Sequence, residues 1–195
     1  MSSNWYVICG GPSSGKTTLL RELEKRGFKT RGDVARVVLE REVAKGRSPN
    51  EVRKNEVEFQ REVTRIKLEK DKALPKNVTT FFDTGLPDGI AYMIASGNLG
   101  SIDEVEAASL EITEARDALQ TVRDVGYRKV FILEQLPILY DGVRTEDNEH
   151  ARKIGEALRQ VYEFLGCEIV DVPALPVEDR VKFILSHVEN YQKKS

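Results

Sequence analysis

The stretch "GGPSSGKTT", Gly10 to Thr18, decides how the rest of this chain is read. Gly10 is followed by four residues and then by Gly15, Lys16 and Thr17. That spacing is the phosphate-binding loop pattern. Glycines let successive backbone N–H groups turn inward and form an anion nest. A following helix points its positive end at the phosphates. Lys16 supplies a compact cation for the β and γ phosphates of a nucleotide, and the Thr17 hydroxyl is a ligand for Mg2+. Nucleotide contacts are therefore expected from Gly10, Gly11, Pro12, Ser13, Ser14, Gly15, Lys16, Thr17 and Thr18. The flanks suit the motif. "WYVICG", Trp5 to Gly10, is a short apolar run that reads as a buried strand. After the loop, Leu19, Leu20 and Leu23 fall on one helical face, and Gly27 is a stop signal.

Downstream the chain alternates. "FKTRGD" holds a very short strand, and "DVARVVLEREVAKG" is a helix with Asp33 as candidate N-cap. A long charged helix is expected from about Asn50 to Ala73, ended by Pro75. Val78 to Phe82 is a strand, and "DGIAYMIASG" a short helix. A further helix starts at Ser101 or Asp103 and runs to about Asp124. Lys129 to Leu133 is a strand, followed by a helix in "TEDNEHARKIGEALRQVYEFLG". "CEIVDVP" is the last strand and "PVEDRVKFILSHVENYQ" the closing helix. Strands alternating with helices imply a parallel sheet covered on both faces, an α/β fold with right-handed crossovers.

The length of 195 residues suits one domain over residues 1–195, with no linker visible. A formal charge of −2 argues against bulk capture of nucleic acid or anionic membrane. The charge is uneven. Lys16 to Lys54 carries 12 basic and 6 acidic residues, whereas Ser101 to His150 carries 5 basic and 12 acidic. The basic third suits a small anionic ligand, or equally the solvated faces of helices. Cys9 and Cys167 lack partners at metal-ligand spacing and read as small core hydrophobes. No signal peptide or membrane-spanning stretch is visible, so a cytoplasmic setting is the expectation.

"VTTFFDTGLPDGIAY", Val78 to Tyr92, ends its strand in a lone acid, Asp83. In folds built on such a loop, an acid at the end of a neighbouring strand holds Mg2+, directly or through water. Asp83 is the preferred metal acid, with Thr17 as its companion. Asp124, Glu134, Asp141 and Asp171 are rivals. Glu134 is the most serious, because it too ends an apolar strand, "VFILE".

Five blocks make the pattern specific: "GGPSSGKTTLL", "DVARVVLER", "FFDTGLPDGIAY", "YDGVRTEDNEHARK" and "VPALPVEDRVKFIL". In this order they resemble a family of small AAA-type P-loop domains. They look like the kinase half of the NadR-type NAD-salvage protein, a nicotinamide riboside kinase. The resemblance spans nearly the whole chain. It implies a three-layer P-loop NTPase fold, nucleoside-monophosphate-kinase-like, with a five-stranded parallel sheet in the order 2-3-1-4-5, using ATP and Mg2+. The chain departs from the pattern at Thr84, where relatives often carry an arginine. That departure leaves the acceptor open and counts against one that already bears a phosphate.

Asp33 and Arg36 border the acceptor side in kinases of this shape. Asp33 could accept hydrogen bonds from sugar hydroxyls and Arg36 could face an anion, or the pair is an N-cap and a solvated arginine. Arg144 and Arg152 lie in what the resemblance makes the lid, with Asp141-Gly142 as its hinge. A lid arginine is worth roughly 10³–10⁵ in rate, but surface ion pairing explains both residues as well. Arg180 stacks on the nucleotide base, pairs with Glu178 or Asp179, or has a structural role, which is preferred. Asp88 caps a helix or contacts the acceptor. The leading functional reading is an ATP- and Mg2+-dependent phosphotransferase with a small hydroxyl-bearing acceptor such as a nucleoside. The alternatives are a regulatory nucleotide switch with a protein partner, and a polynucleotide kinase. The second is disfavoured by the lack of interleaved basic and aromatic residues.

Overall fold

The computed structural model describes residues 3–101, 104, 112–136 and 148–188. Its centre is a five-stranded sheet: β1 (Trp5–Cys9), β2 (Lys29–Arg31), β3 (Thr80–Asp83), β4 (Lys129–Leu133) and β5 (Ile169–Val172). The order is β2-β3-β1-β4-β5, with every pair parallel. The helices are α1 (Lys16–Lys25), α2 (Val34–Ala44), α3 (Pro49–Arg53), α4 (Glu56–Lys72), α5 (Asp88–Ala95), α6 (Thr113–Val125), α7 (Asn148–Phe164) and α8 (Val177–Ser186).

Central strands of a parallel sheet are covered on both faces and are apolar throughout. β1 meets this rule, since all five of its residues are buried. Its side chains alternate between two cores. Trp5, Val7 and Cys9 join Phe82, Val130 and Ile132 beneath α5, α6 and α7. Tyr6 and Ile8 join Phe81, Phe131 and Val172 beneath α1 and α8, which contribute Leu19, Leu23, Val181 and Ile184. A third, smaller cluster of Val34, Val38, Val52, Phe59 and Val63 ties α2, α3 and α4 together beside β2. Cys9 and Cys167 are free thiols, and burial raises the pKa of both.

The expected long helix from Asn50 to Ala73 is two helices. Ser48 closes a capping box with Glu51, with Pro49 in the first turn. Asn55 then caps a fresh start, accepting from the Glu58 amide at 3.2 Å. Both signals are local, and the charged periodicity masks them. β3 begins at Thr80, two residues later than expected, because β1 pairs from Trp5↔Thr80 onward. Of the start of the helix expected from Ser101 or Asp103, Ser101 and Glu104 are described, and the Ser101 hydroxyl accepts from the Glu104 amide at 3.4 Å; Asp103 lies outside the described residues. Among the described residues no helix is long and apolar enough to cross a membrane.

Phe82 is fully buried between strands and helices, with its ring 5.1 Å from that of Trp5. Phe82→Ala removes that contact and leaves a cavity. It should cost about 3–5 kcal/mol in chemical denaturation.

Candidate functional site

The parallel register brings the carboxyl ends of β1 and β3 together. Ile8 pairs with Asp83, and the Thr84 amide donates to the Ile8 carbonyl at 3.1 Å. The loop of Gly10–Gly15 leaves β1 at that edge and leads into α1. Its backbone is shaped for inward-facing amides. Ser13 (φ 67°) and Gly15 (φ 90°) are both left-handed. A side chain on Gly11 would sit 2.7 Å from the Ala151 carbonyl oxygen, so the loop has no room for one. Ser14 is buried. The Lys16 ammonium folds back over the loop, donating to the Gly10 and Gly11 carbonyls at 2.9 Å each.

Two residues beyond the motif hold the loop. Arg180, almost wholly buried, donates to the Ser14 carbonyl at 2.8 Å. The Gln135 amide donates to the Pro12 carbonyl at 3.0 Å. Of the readings of Arg180, the structural one matches this contact: its guanidinium lies against Gly15 and lines neither of the cavities beside the loop. It does not pair with its neighbours either, because Glu178 pairs with Arg26 and Asp179 with Lys182. Gln135 belongs to no sequence motif. Its position directly after Glu134, at the end of a strand next to β1, is the signal that could have found it.

Two cavities flank the loop. The first, about 480 Å³, lies between the ends of β4 and β5 and α7, and is lined by Gly11, Glu134, Gln135, Arg152, Arg159 and Pro173 among others. The second, about 320 Å³, is lined by Thr17, Arg21, Asp33, Arg36, Glu40 and Asp83 among others. Thr17 and Asp83 thus share a cavity. Glu134 faces the other one and accepts from the Ala174 amide at 2.9 Å. Of the remaining rivals, Asp124 accepts from Gln120 on α6, Asp171 pairs with Arg159, and Asp141 lies outside the described residues. Thr18 is exposed and lines neither cavity.

Asp83 is only 3% exposed. Burial pushes its carboxyl up to about 6, the Lys16 ammonium opposes that rise, and Asp33 reinforces it. Asp33 caps α2, its Oδ1 accepting from the Arg36 amide at 3.0 Å, while also lining the second cavity. The Arg36 guanidinium pairs with Glu40 at 2.9 Å at the rim. On the first cavity, Arg152 is exposed and pairs with Glu156. Arg144 and the Asp141-Gly142 turn lie outside the described residues.

Asp88 does not cap α5 as expected. It is the first residue of α5, with Pro87 at the cap position, and its carboxylate is buried away from both cavities. It accepts from the Gly85 amide at 3.0 Å and from the Tyr162 hydroxyl. Burial raises its pKa, and Lys67 opposes the rise. Lys67 is itself buried, which lowers its ammonium to about 8. Arg31 and Asp71 form a buried ion pair nearby at 2.9 Å. Sequence reasoning misses Lys67 and Asp71 because they lie within a helix that reads as charged throughout. Gln60, Thr64, Lys67 and Asp71 nevertheless recur at helical spacing on its buried face.

The donor set fits a nucleotide with Mg2+. Among the described residues no cluster of three His, Cys, Asp or Glu could hold a metal. One hydroxyl and one carboxylate are what Mg2+ uses when phosphate and water complete its shell. Fold and loop define a P-loop domain of the nucleoside-monophosphate-kinase type. Residues 5–180 match the family described as AAA domain, and the chain belongs to that family. Similar solved structures include a deoxyadenosine kinase from M. mycoides with bound dCTP, at TM-score 0.64 and 15% identity over 93% of this chain and 97% of that one. The same kinase with the products dCMP and a flexible dCDP gives 0.58 at 14% identity, over 93% and 96%. At such identity the likeness is one of fold. A comparison with curated protein sequences found no match.

The raised Asp83 pKa makes a prediction about stability. The folded chain holds the proton up to about pH 6, whereas the unfolded chain releases it near 4. Folded wild type therefore binds more protons across that window and loses stability as pH rises through it. Without metal, Asp83→Asn should match wild type at pH 4 and exceed it by about 2–3 kcal/mol at pH 7. Denaturation in EDTA at both pH values checks this.

Proposed function

We propose that this protein binds ATP with Mg2+ and transfers the γ-phosphoryl group to a hydroxyl of a small acceptor such as a nucleoside. The observation that carries this reading is the convergence of Thr17, Asp83 and Asp33 on one cavity beside the loop. In this reading the loop amides and Lys16 hold the phosphates. Thr17 and Asp83 hold Mg2+, which when bound neutralises charge on the β and γ oxygens. Asp33 lies across the same cavity, placed to accept a hydrogen bond from the acceptor hydroxyl. The first cavity, bordered by Gly11 and Arg152, is the side on which the nucleoside part of ATP would lie, with Arg152 at its rim. Phosphoryl transfer relies on positioning and charge stabilisation more than on a covalent catalyst, and these residues supply both.

The acceptor is proposed to be uncharged or cationic. The second cavity is bordered by Arg21 and Arg36 against Glu24, Asp33, Glu40 and Asp83. Arg36 is already paired with Glu40, and Glu24 accepts from Thr30. A phosphorylated acceptor would add a dianion to a wall with an excess of carboxylates, at an energetic cost in a partly desolvated site. Thr84 is uncharged and supplies no cation there, and its hydroxyl accepts from Lys67 in the interior.

Labelled ATP and Mg2+ offered with nucleosides, nucleoside monophosphates and sugars test the proposal. Transfer is expected to an unphosphorylated acceptor. Lys16→Ala and Asp83→Asn should each lower it by ~10²-fold or more. Transfer to none of the panel would reject the kinase reading. Full turnover in Asp83→Asn would move the metal role to Glu134.

A further inference from the structure

The turn that follows Asp83 is held almost entirely by side chains from elsewhere in the fold. Thr84 has φ 63°, a conformation that β-branched residues rarely adopt. Something must hold it there. Lys67 of α4 donates to the Thr84 hydroxyl at 2.8 Å and to the Gly85 carbonyl at 2.7 Å. The Thr84 hydroxyl in turn donates to the Asp83 carbonyl. Arg31 of β2 donates to the same Asp83 carbonyl at 3.3 Å and to the Thr84 carbonyl. The Gly85 amide is taken by Asp88, and the Leu86 amide by the Tyr127 hydroxyl at 2.9 Å. Three successive carbonyls thus face buried cations, and the next two amides face buried oxygens.

Such an arrangement is costly in a core. Buried ammonium and guanidinium groups are desolvated, and a buried ion pair is often no more stabilising than apolar packing. Stability alone therefore gives weak reason for it. What it does achieve is geometric. Asp83 is the last residue of β3, so its side-chain direction depends on how the chain leaves the strand. Thr84 and Gly85 set that exit.

We propose that Lys67, assisted by Arg31, is a positioning residue that locks the left-handed Thr84 turn and so aims the Asp83 carboxylate at Thr17 for the metal. This rests on the reading of Thr17 and Asp83 as the Mg2+ site. Lys67 lines neither cavity; its charge favours the ionised Asp83 carboxylate, and its hydrogen bonds go to Thr84 and Gly85. Loss of the clamp is expected to leave the phosphate loop intact, because the loop is held by hydrogen bonds from Arg180, Gln135 and Lys16, whereas those of Lys67 go to Thr84 and Gly85. Metal-dependent nucleotide binding should therefore suffer while metal-free binding does not.

The test is binding of a fluorescent ATP analogue to the full chain, titrated with Mg2+ and repeated in EDTA. Lys67→Met should raise the Mg2+ midpoint at least tenfold and leave affinity in EDTA within twofold. Lys67→Arg, which restores a cation, should recover the midpoint to within about threefold. A folded Lys67→Met protein with the wild-type midpoint, or with equal losses in Mg2+ and in EDTA, would overturn the proposal. If Lys67→Met does not fold, Thr84→Gly decides. Glycine takes this φ without strain but lacks the hydroxyl, so a rise of at least threefold supports the clamp and an unchanged midpoint overturns it. Asp83→Asn separates the two levels. If it keeps wild-type Mg2+ dependence, the metal-site reading fails and the clamp with it. If it loses that dependence while Lys67→Met keeps it, only the clamp fails.

Discussion

The pairing of β3 alongside β1 is the constraint on which the site depends. Parallel strands in adjacent register end at the same edge, so the residue leaving β3 and the loop leaving β1 are neighbours by construction. The match of Ile8 with Asp83 places a carboxylate opposite the start of the phosphate loop. A slip of one residue would turn that carboxylate to the other face of the sheet. The register is held by the two cores above and below it. Phe81 and Phe82 point to opposite faces and are both fully buried, so the strand is anchored in each core.

Around that edge the molecule uses charged groups in two ways. Asp83, Asp33 and Arg36 line the second cavity, and Lys16 folds over the phosphate loop. Lys67, Arg31, Asp71 and Asp88 are inside, where they satisfy main-chain groups or one another. Arg180 belongs with the second set, since its guanidinium supports the Ser14 carbonyl from below. The loop and the turn after Asp83 are thus both anchored from behind by buried cations.

Much of this is legible in the amino-acid sequence. The loop and the alternation of strands and helices follow from local patterns: a Gly-x4-Gly-Lys-Thr run, apolar strands and amphipathic helices. The order of the sheet follows from the family resemblance that the five blocks carry. Asp83 is legible as a strand-ending acid and is preferred over Glu134 from the sequence, and the cavity it shares with Thr17 supports that preference. The contacts of Asp88 and Arg180 are less legible. An acid at a helix start and an arginine after a strand carry the same local signal whether they face a ligand or the interior. Lys67 and Asp71 are obscured by the charge of their helix, although their spacing with Gln60 and Thr64 marks a buried face. The break between α3 and α4 is written in the Ser48 and Asn55 caps, and the continuous charged pattern around them outweighs it.

The account centres on Lys16, Thr17 and Asp83 forming one Mg2+-nucleotide site, and an experimental structure with a non-hydrolysable ATP analogue and Mg2+ tests it most directly. It predicts the γ-phosphate beside Lys16 and the metal about 2.1 Å from the Thr17 hydroxyl, with Asp83 bound to it directly or through one water. A metal held on the Glu134 side of the loop, or phosphates lying away from the amides of Gly10–Thr17, would contradict it.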